Sequence, residues 1–257
     1  MKIGIFDSGI GGLSVLASAS EKISADFVYY ADTDNVPYGE KKKDEIVEYS
    51  FKAISFLIEK GVDAIVVACN TATSAGIGAF RERYSLPIIG MEPAVKRARD
   101  LYGDRGKIIV SATDFTIRGG KLSRLISSLG VEDKVSLLPL SGLVRFAEIG
   151  DFESEEVHEY LKNALSGQDI EKSGSFVLGC THFIFYKGLI RSILPSHIEI
   201  VDGNEGTVNQ LIRRINKECA NADVKGEGRI EYYLSGRETT EAEREKYNRL
   251  VLRARKE

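Results

Sequence analysis

Proline is scarce in this chain, five in 257 residues, and no Ser/Gly-rich stretch interrupts it, so no flexible linker divides it. Cysteine is scarcer still. Three in a chain this long do not make a disulfide framework, and a reducing compartment would leave them as thiols. There are only three histidines (His158, His182 and His197) and neither a CxxC nor an HExxH, so no structural zinc site is expected. No apolar run approaches the roughly 18–20 residues of a membrane-spanning helix. The opening MKIGIF is too short for a signal peptide, with glycines and an aspartate following at once. An excess of one charge is also missing. The net charge is −3, with basic residues interspersed among acidic ones, which argues against nucleic acid or an anionic membrane as partner. These absences predict a soluble cytoplasmic protein with a small-molecule partner.

What is present is an alternation of short β-rich runs with amphipathic helical stretches. Lys2–Phe6, Phe27–Tyr30, Ala64–Ala68, Pro87–Gly90 and Ile108–Ser111 read as buried strands, as do Val135–Leu138, Ser175–Leu178, Ile198–Val201 and Ile230–Leu234. Lys43–Glu59, Ala94–Leu101, Lys121–Ser128 and Thr207–Ala220 carry apolar residues at helical spacing. The fold class is therefore α/β, with parallel sheets covered by helices. The chain also echoes itself. KIGIFDSGIGGLSVL from Lys2 has a loose counterpart in KIIVSATDFTIRGGKLSRL from Lys107, and the strand before Cys69 has one before Cys180. These offsets of 105 and 111 residues (Lys2 to Lys107, Cys69 to Cys180) predict two similar lobes related by pseudo-symmetry, with the site in the cleft between them. The boundaries expected are 1–95 plus 207–257 for the first lobe and 96–206 for the second. The densely charged Glu238–Glu257 reads as a solvated helix.

Chemistry concentrates at the ends of the apolar runs. In open α/β sheets ligands bind at the carboxyl edge, and both Cys69 (AIVVACNTAT) and Cys180 (FVLGCTHF) lie there, each with threonine close behind. A buried strand-end cysteine is most often a small packing residue. Asn70, Thr71 and Thr73 add polar groups and a helix start after Cys69, a setting expected to lower its pKa. His182 follows Cys180 by two residues and is placed to hold or shuttle its proton, unless it is a satisfied core histidine. The third thiol, Cys219, has no such setting. The turn Asp7-Ser8-Gly9-Ile10-Gly11-Gly12 offers backbone N–H groups to an anion. It invites a dinucleotide reading, with Gly9-x-Gly11 after a strand and Asp32 ending the next. Ser14 at the third glycine position and Asp7 at the strand end speak against that. One thiol would serve a thiol hydrolase. Two suit a reaction that needs an acid or base on both faces of a carbon, which racemisation at Cα does. No signature of a PLP lysine or metal is visible, so the expected cofactors are none.

Four motifs, FDSGIGGLSVL (Phe6–Leu16), YYADTDNVPYG (Tyr29–Gly39), ACNTAT (Ala68–Thr73) and LGCTHF (Leu178–Phe183), resemble the glutamate racemases of the PLP-independent aspartate/glutamate racemase superfamily, over residues 1 to about 235. The resemblance implies a cytoplasmic homodimer that interconverts L- and D-glutamate for peptidoglycan. It puts the two catalytic cysteines on Cys69 and Cys180, with Asp7 and His182 assisting them. It places substrate contacts on Asp7, Ser8, Tyr38, Gly39, Asn70, Thr71, Thr181 and His182. Thr113 and Thr116 match pocket threonines, and Glu148 matches an acidic residue near the second thiol. Aspartate racemases tend to carry Glu where this chain has His182, which favours glutamate. The alternatives are an aspartate racemase or other superfamily member, or a non-catalytic small-ligand or dinucleotide-binding protein. Some relatives respond to a cell-wall precursor through an N-terminal extension, a route not expected in a chain that begins almost at its first strand. Three departures stand out. Phe183-Ile184-Phe185-Tyr186 replaces the usual YPLL, Phe115 stands where glycine is usual, and the tail after Gly236 has no clear match.

Overall fold

A computed structural model describes residues 1–91, 93–218 and 226–257. In chain order, β1 (Lys2–Asp7), α1 (Leu13–Lys22), β2 (Asp26–Ala31), α2 (Lys43–Glu59), β3 (Ala64–Val67), α3 (Asn70–Arg83) and β4 (Ile88–Gly90) alternate. A second series follows: α4 (Val95–Tyr102), β5 (Lys107–Ala112), α5 (Asp114–Arg118), α6 (Gly120–Leu129), β6 (Val135–Pro139) and α7 (Gly142–Ile149). It continues through α8 (Glu155–Leu165), β7 (Ser173–Leu178), α9 (Lys187–Ile193) and β8 (Glu199–Asp202). The chain closes with α10 (Asn204–Glu218), β9 (Ile230–Leu234), β10 (Arg237–Glu238) and α11 (Glu241–Ala254). Every run read as a strand from the sequence becomes one. Cys219, expected on a late helix, lies outside the described residues.

Among the described residues the strands form two sheets, ordered β10-β9-β2-β1-β3-β4 and β6-β5-β7-β8. The segments β2-β1-β3-β4 and β6-β5-β7-β8 follow one order, parallel throughout, so the self-similarity of the sequence is a repeat of topology. β9 extends the first sheet in parallel beside β2, and β10, unforeseen from the sequence, returns antiparallel on it. The two-residue link Ser235-Gly236 has positive φ at both positions (47° and 90°), the geometry of a type I′ hairpin, which suits glycine.

Strand alternation sorts the apolar residues into three clusters. Ile3, Ile5, Tyr29 and Val66 from the first sheet meet Ile109, Phe176 and Leu178 from the second in one cluster shared by both lobes. Their neighbours Phe6, Val28, Tyr30, Ile65 and Val67 face the other way, against α2 and α3. Ile108, Val110 and Val177 do the same against α4 and α6. The two sheets thus share a middle layer.

The C-terminal helix corrects one expectation. α11 is charged, but Tyr247, Leu250 and Val251 are buried in the shared cluster, and the helix packs along α1. Their i, i+3, i+4 spacing makes a narrow apolar stripe that the surrounding charge hides from a composition reading. Thr240 caps the helix with Glu243 in a capping box, a pattern that is plain in the sequence.

Candidate active site

In each four-stranded segment, β2-β1-β3-β4 and β6-β5-β7-β8, the two central strands send the chain to opposite sides. After β1 the chain enters α1 in the shared cluster, and after β3 it enters α3 in the outer one. After β5 it enters the outer α6, and after β7 the turn Thr181–Tyr186 in the shared cluster. A crevice opens at such a switch point. Asp7 and Cys69 end the central strands of the first sheet, and Thr113 and Cys180 those of the second.

Cys69 is the N-cap of α3, its sulfur accepting from the Ala72 N–H at 3.4 Å and donating to Ser8 Oγ at 3.6 Å. The helix start does not lower its pKa as the sequence reading expected. Burial pushes the thiol up to about 12, helped by the nearby charge of Asp7, and the Ala72 N–H and Ser8 hydroxyl only partly offset this. Asp7 is fully buried, with Oδ1 accepting from the Gly9 N–H at 3.0 Å and Oδ2 from Thr181 Oγ1 at 3.0 Å. Burial raises its pKa against the opposing pull of His182 and these two donors.

On the other side, His182 Nδ1 lies 3.7 Å from Cys180 Sγ and its Nε2 lies 2.7 Å from Glu148 Oε1. Burial alone would push the imidazole down, but its bonds with Cys180 and Glu148 outweigh that and hold it well above the ordinary histidine value. A ring protonated on both nitrogens would donate to both neighbours. Glu148, on α7, also accepts from the Ile10 N–H at 2.8 Å. The N–H groups that were expected to hold a ligand anion are thus taken by the protein's own Asp7 and Glu148.

The glycines of this turn make room for that. A Cβ on Gly9 would sit 1.8 Å from Glu148 Oε1, and one on Gly11 would sit 2.4 Å from Thr181 Oγ1. No space remains there for a pyrophosphate. Asp32, the ribose partner of the dinucleotide reading, accepts from Tyr38 Oη at 2.6 Å, Asn35 Nδ2 at 3.0 Å and Ser235 Oγ at 3.2 Å.

A second polar chain crosses the cleft. Thr71 Oγ1 and Thr113 Oγ1 are 3.0 Å apart, and Thr113 donates to Thr116 Oγ1 at 3.1 Å. Gly39 closes against Thr113, where a Cβ would lie 3.1 Å away. Asn70 is the exception to this pairing. It is buried, yet neither atom of its amide bonds to the protein, and with Thr73 and Thr116 it lines a cavity of about 320 Å³ whose wall includes neither Cys69 nor Cys180. An unpaired buried amide costs about 1–3 kcal/mol, a cost that a ligand's polar groups would offset.

The structure thus joins Asp7, Ser8, Cys69, Glu148, Cys180, Thr181 and His182 around one centre, with Asn70, Thr71, Thr113 and Thr116 beside it. Tyr38 is buried with its hydroxyl donating to Asp32, while Gly39 lies against Thr113. Thr73 turns away, donating to Val67 O and accepting from the Met91 N–H. Phe115 packs half-buried on the outer cluster of the first sheet. Phe183 through Tyr186 are core, and Tyr186 donates to Leu143 O at 3.2 Å and Asp151 O at 2.9 Å, anchoring both ends of α7. Sequence reasoning missed Tyr29 and the structural role of Asp32. Among the described residues no group of three His, Cys, Asp or Glu side chains is arranged to hold a metal ion.

The similarity of the whole chain to enzymes named glutamate racemase makes it an isomerase acting on amino acids. More narrowly, the chain belongs to the Asp/Glu/hydantoin racemase family, whose model matches residues 14–211. It is 49% identical over 259 aligned residues to a glutamate racemase of Campylobacter concisus, covering 100% of this chain and 98% of that protein. The fold superposes on the crystal structure of glutamate racemase from Campylobacter jejuni with a TM-score of 0.81 at 27% identity, covering 98% of both chains. Against Escherichia coli glutamate racemase in complex with L-glutamate and the activator UDP-MurNAc-ala the TM-score is 0.78 at 28% identity, covering 88% of this chain and 85% of that one.

Proposed function

We propose that this chain interconverts L- and D-glutamate by proton transfer at Cα between Cys69 and Cys180, supplying D-glutamate for peptidoglycan. The observation that carries this is the pairing of two strand-end thiols with unlike partners, an aspartate on one side and a histidine–glutamate pair on the other. Glutamate as the substrate rests on the relatives named glutamate racemase and on the L-glutamate complex of the Escherichia coli protein.

In this mechanism one sulfur, as thiolate, takes the Cα proton, and the other, as thiol, returns one on the opposite face. Burial and the charge of Asp7 favour the protonated form of Cys69, which suits it to give a proton in one direction. Asp7 accepts or relays the proton when Cys69 acts in the other. His182, held by Glu148, exchanges a proton with Cys180. The free amide of Asn70, the Thr116 hydroxyl at the open end of the Thr71–Thr113–Thr116 chain, and the backbone at Ser8 and Gly39 hold the substrate carboxylates. A dry site strengthens these dipoles as charge develops at Cα. The reading carries with it a cytoplasmic homodimer, and a division into a first lobe of 1–95 plus 207–257 and a second of 96–206.

Circular dichroism with each enantiomer of glutamate and aspartate tests the substrate, and uptake of solvent deuterium at Cα tests the chemistry. Cys69→Ser and Cys180→Ser are each expected to abolish racemisation. Full activity in either variant would end the two-thiol mechanism, and a wild-type protein inert with both amino acids would favour a binding module.

A further inference from the structure

Tyr29 takes no part in the chemistry described above, yet it reaches the turn that carries Asp7. Parallel pairing sets it beside Ile5, and strand alternation turns its ring into the shared cluster. There it is fully buried, and its hydroxyl donates to Gly9 O at 2.6 Å. Gly9 in turn donates its N–H to Asp7 Oδ1 at 3.0 Å. The same residue is therefore gripped through its carbonyl by Tyr29 and through its N–H by Asp7. Gly12 makes the arrangement possible, since a Cβ there would lie 2.7 Å from Asp7 Cβ and 3.0 Å from the Tyr29 hydroxyl. The Tyr29 ring is boxed edge-on by Tyr232 at 6.2 Å and Tyr247 at 6.1 Å, which are themselves 5.5 Å apart. Tyr247 comes from α11.

We propose that Tyr29 is a positioning residue for Asp7: its hydroxyl pins the Gly9 residue whose N–H orients the carboxylate, and the tyrosine box built by β9 and α11 holds that hydroxyl in place. This rests on the reading that Asp7 handles the proton on the Cys69 side. The charged and titratable groups around Asp7 are His182 from the turn after β7, Glu148 from α7, Cys69 at the end of β3, Tyr247 from α11, and Tyr29 itself. Burial raises the Asp7 pKa, Glu148 adds to the rise, and His182, the Gly9 N–H and Thr181 oppose it. Freeing the Gly9 N–H removes one of the opposing contributions, so the carboxylate protonates at a higher pH.

The test is the pH profile of kcat/KM for Tyr29→Phe, with Tyr247→Phe and Asp7→Asn alongside. Tyr29→Phe keeps the ring and loses only the hydroxyl. Its acid limb is expected to move up by about half a unit to one unit, with kcat down about tenfold and KM within about threefold. Tyr247→Phe, which keeps the box intact, should match the wild type. A Tyr29→Phe profile whose acid limb stays in place, whether or not the amplitude falls, overturns the positioning role, because a merely less stable protein loses active fraction without moving a limb. Full activity in Asp7→Asn would instead sink the reading of Asp7 on which the inference stands.

Discussion

Glu148 and His182 form the closest acid–base contact at the centre, and what each does depends on the other. The imidazole is buried, which disfavours its charge, and only the carboxylate at 2.7 Å and the Cys180 sulfur reverse that. Glu148→Gln keeps the shape and removes the charge. It should lower kcat about 10- to 100-fold and bring the alkaline limb of the rate profile down, because His182 then loses its proton at a lower pH. The sign for stability follows the same way. A pKa raised above the ordinary histidine value of 6.5 stabilises the fold fully below that value, and the effect fades as pH climbs through the raised one. Glu148→Gln should therefore cost more stability in mild acid than in alkali, measurable by denaturant titration at both. The two cysteines and His182 are legible in the sequence because each follows its strand directly. Glu148 came only through the family resemblance, since nothing local in α7 distinguishes it from any other glutamate.

The turn from Gly9 to Gly12 shows why an element can mislead when read alone. Its glycines and exposed N–H groups look like an anion cradle, and they are one, but the anions come from Asp7 and Glu148. Gly9→Ala tests this. The new Cβ would meet the far end of the Glu148 side chain, which must swing away and so leaves both Ile10 and His182. The thermal midpoint is expected to fall by several degrees, and activity about as far as in Glu148→Gln. Equal activity in Gly9→Ala and wild type would contradict the geometry. The C-terminal helix teaches a related lesson: its charge is legible and its capping box unmistakable, but the three residues that bury it against α1 are too few to stand out.

At the scale of the molecule, the lobes meet through polar contacts as well as the shared cluster. Thr181 reaches Asp7, Glu148 reaches the Ile10 N–H, and Thr113 meets Thr71. At the rim, Arg145 on α7 grips Glu40 with two bonds of 2.9 and 2.8 Å, and the guanidinium holds that carboxyl below its usual range. Glu40 directly follows Gly39, so the pair ties the Tyr38–Glu40 turn to the opposite lobe beside the cleft. Glu40→Gln and Arg145→Gln should each raise KM for substrate about two- to fivefold at low salt, less as salt rises. The double variant should be no worse than the poorer single one, whereas additive losses would show that the two side chains act independently.

Strand positions, the α/β class, the internal repeat and the two thiols are set by the sequence itself, because alternation, turn residues and strand-end motifs are local signals. Only the tertiary structure decided what faces those thiols. Which carboxylate fills a glycine turn, how far burial lifts the Cys69 thiol, and which tyrosine grips Gly9 all depend on residues far apart in the chain meeting in a dry interior. There the loss of water, rather than residue type, sets the cost of charge.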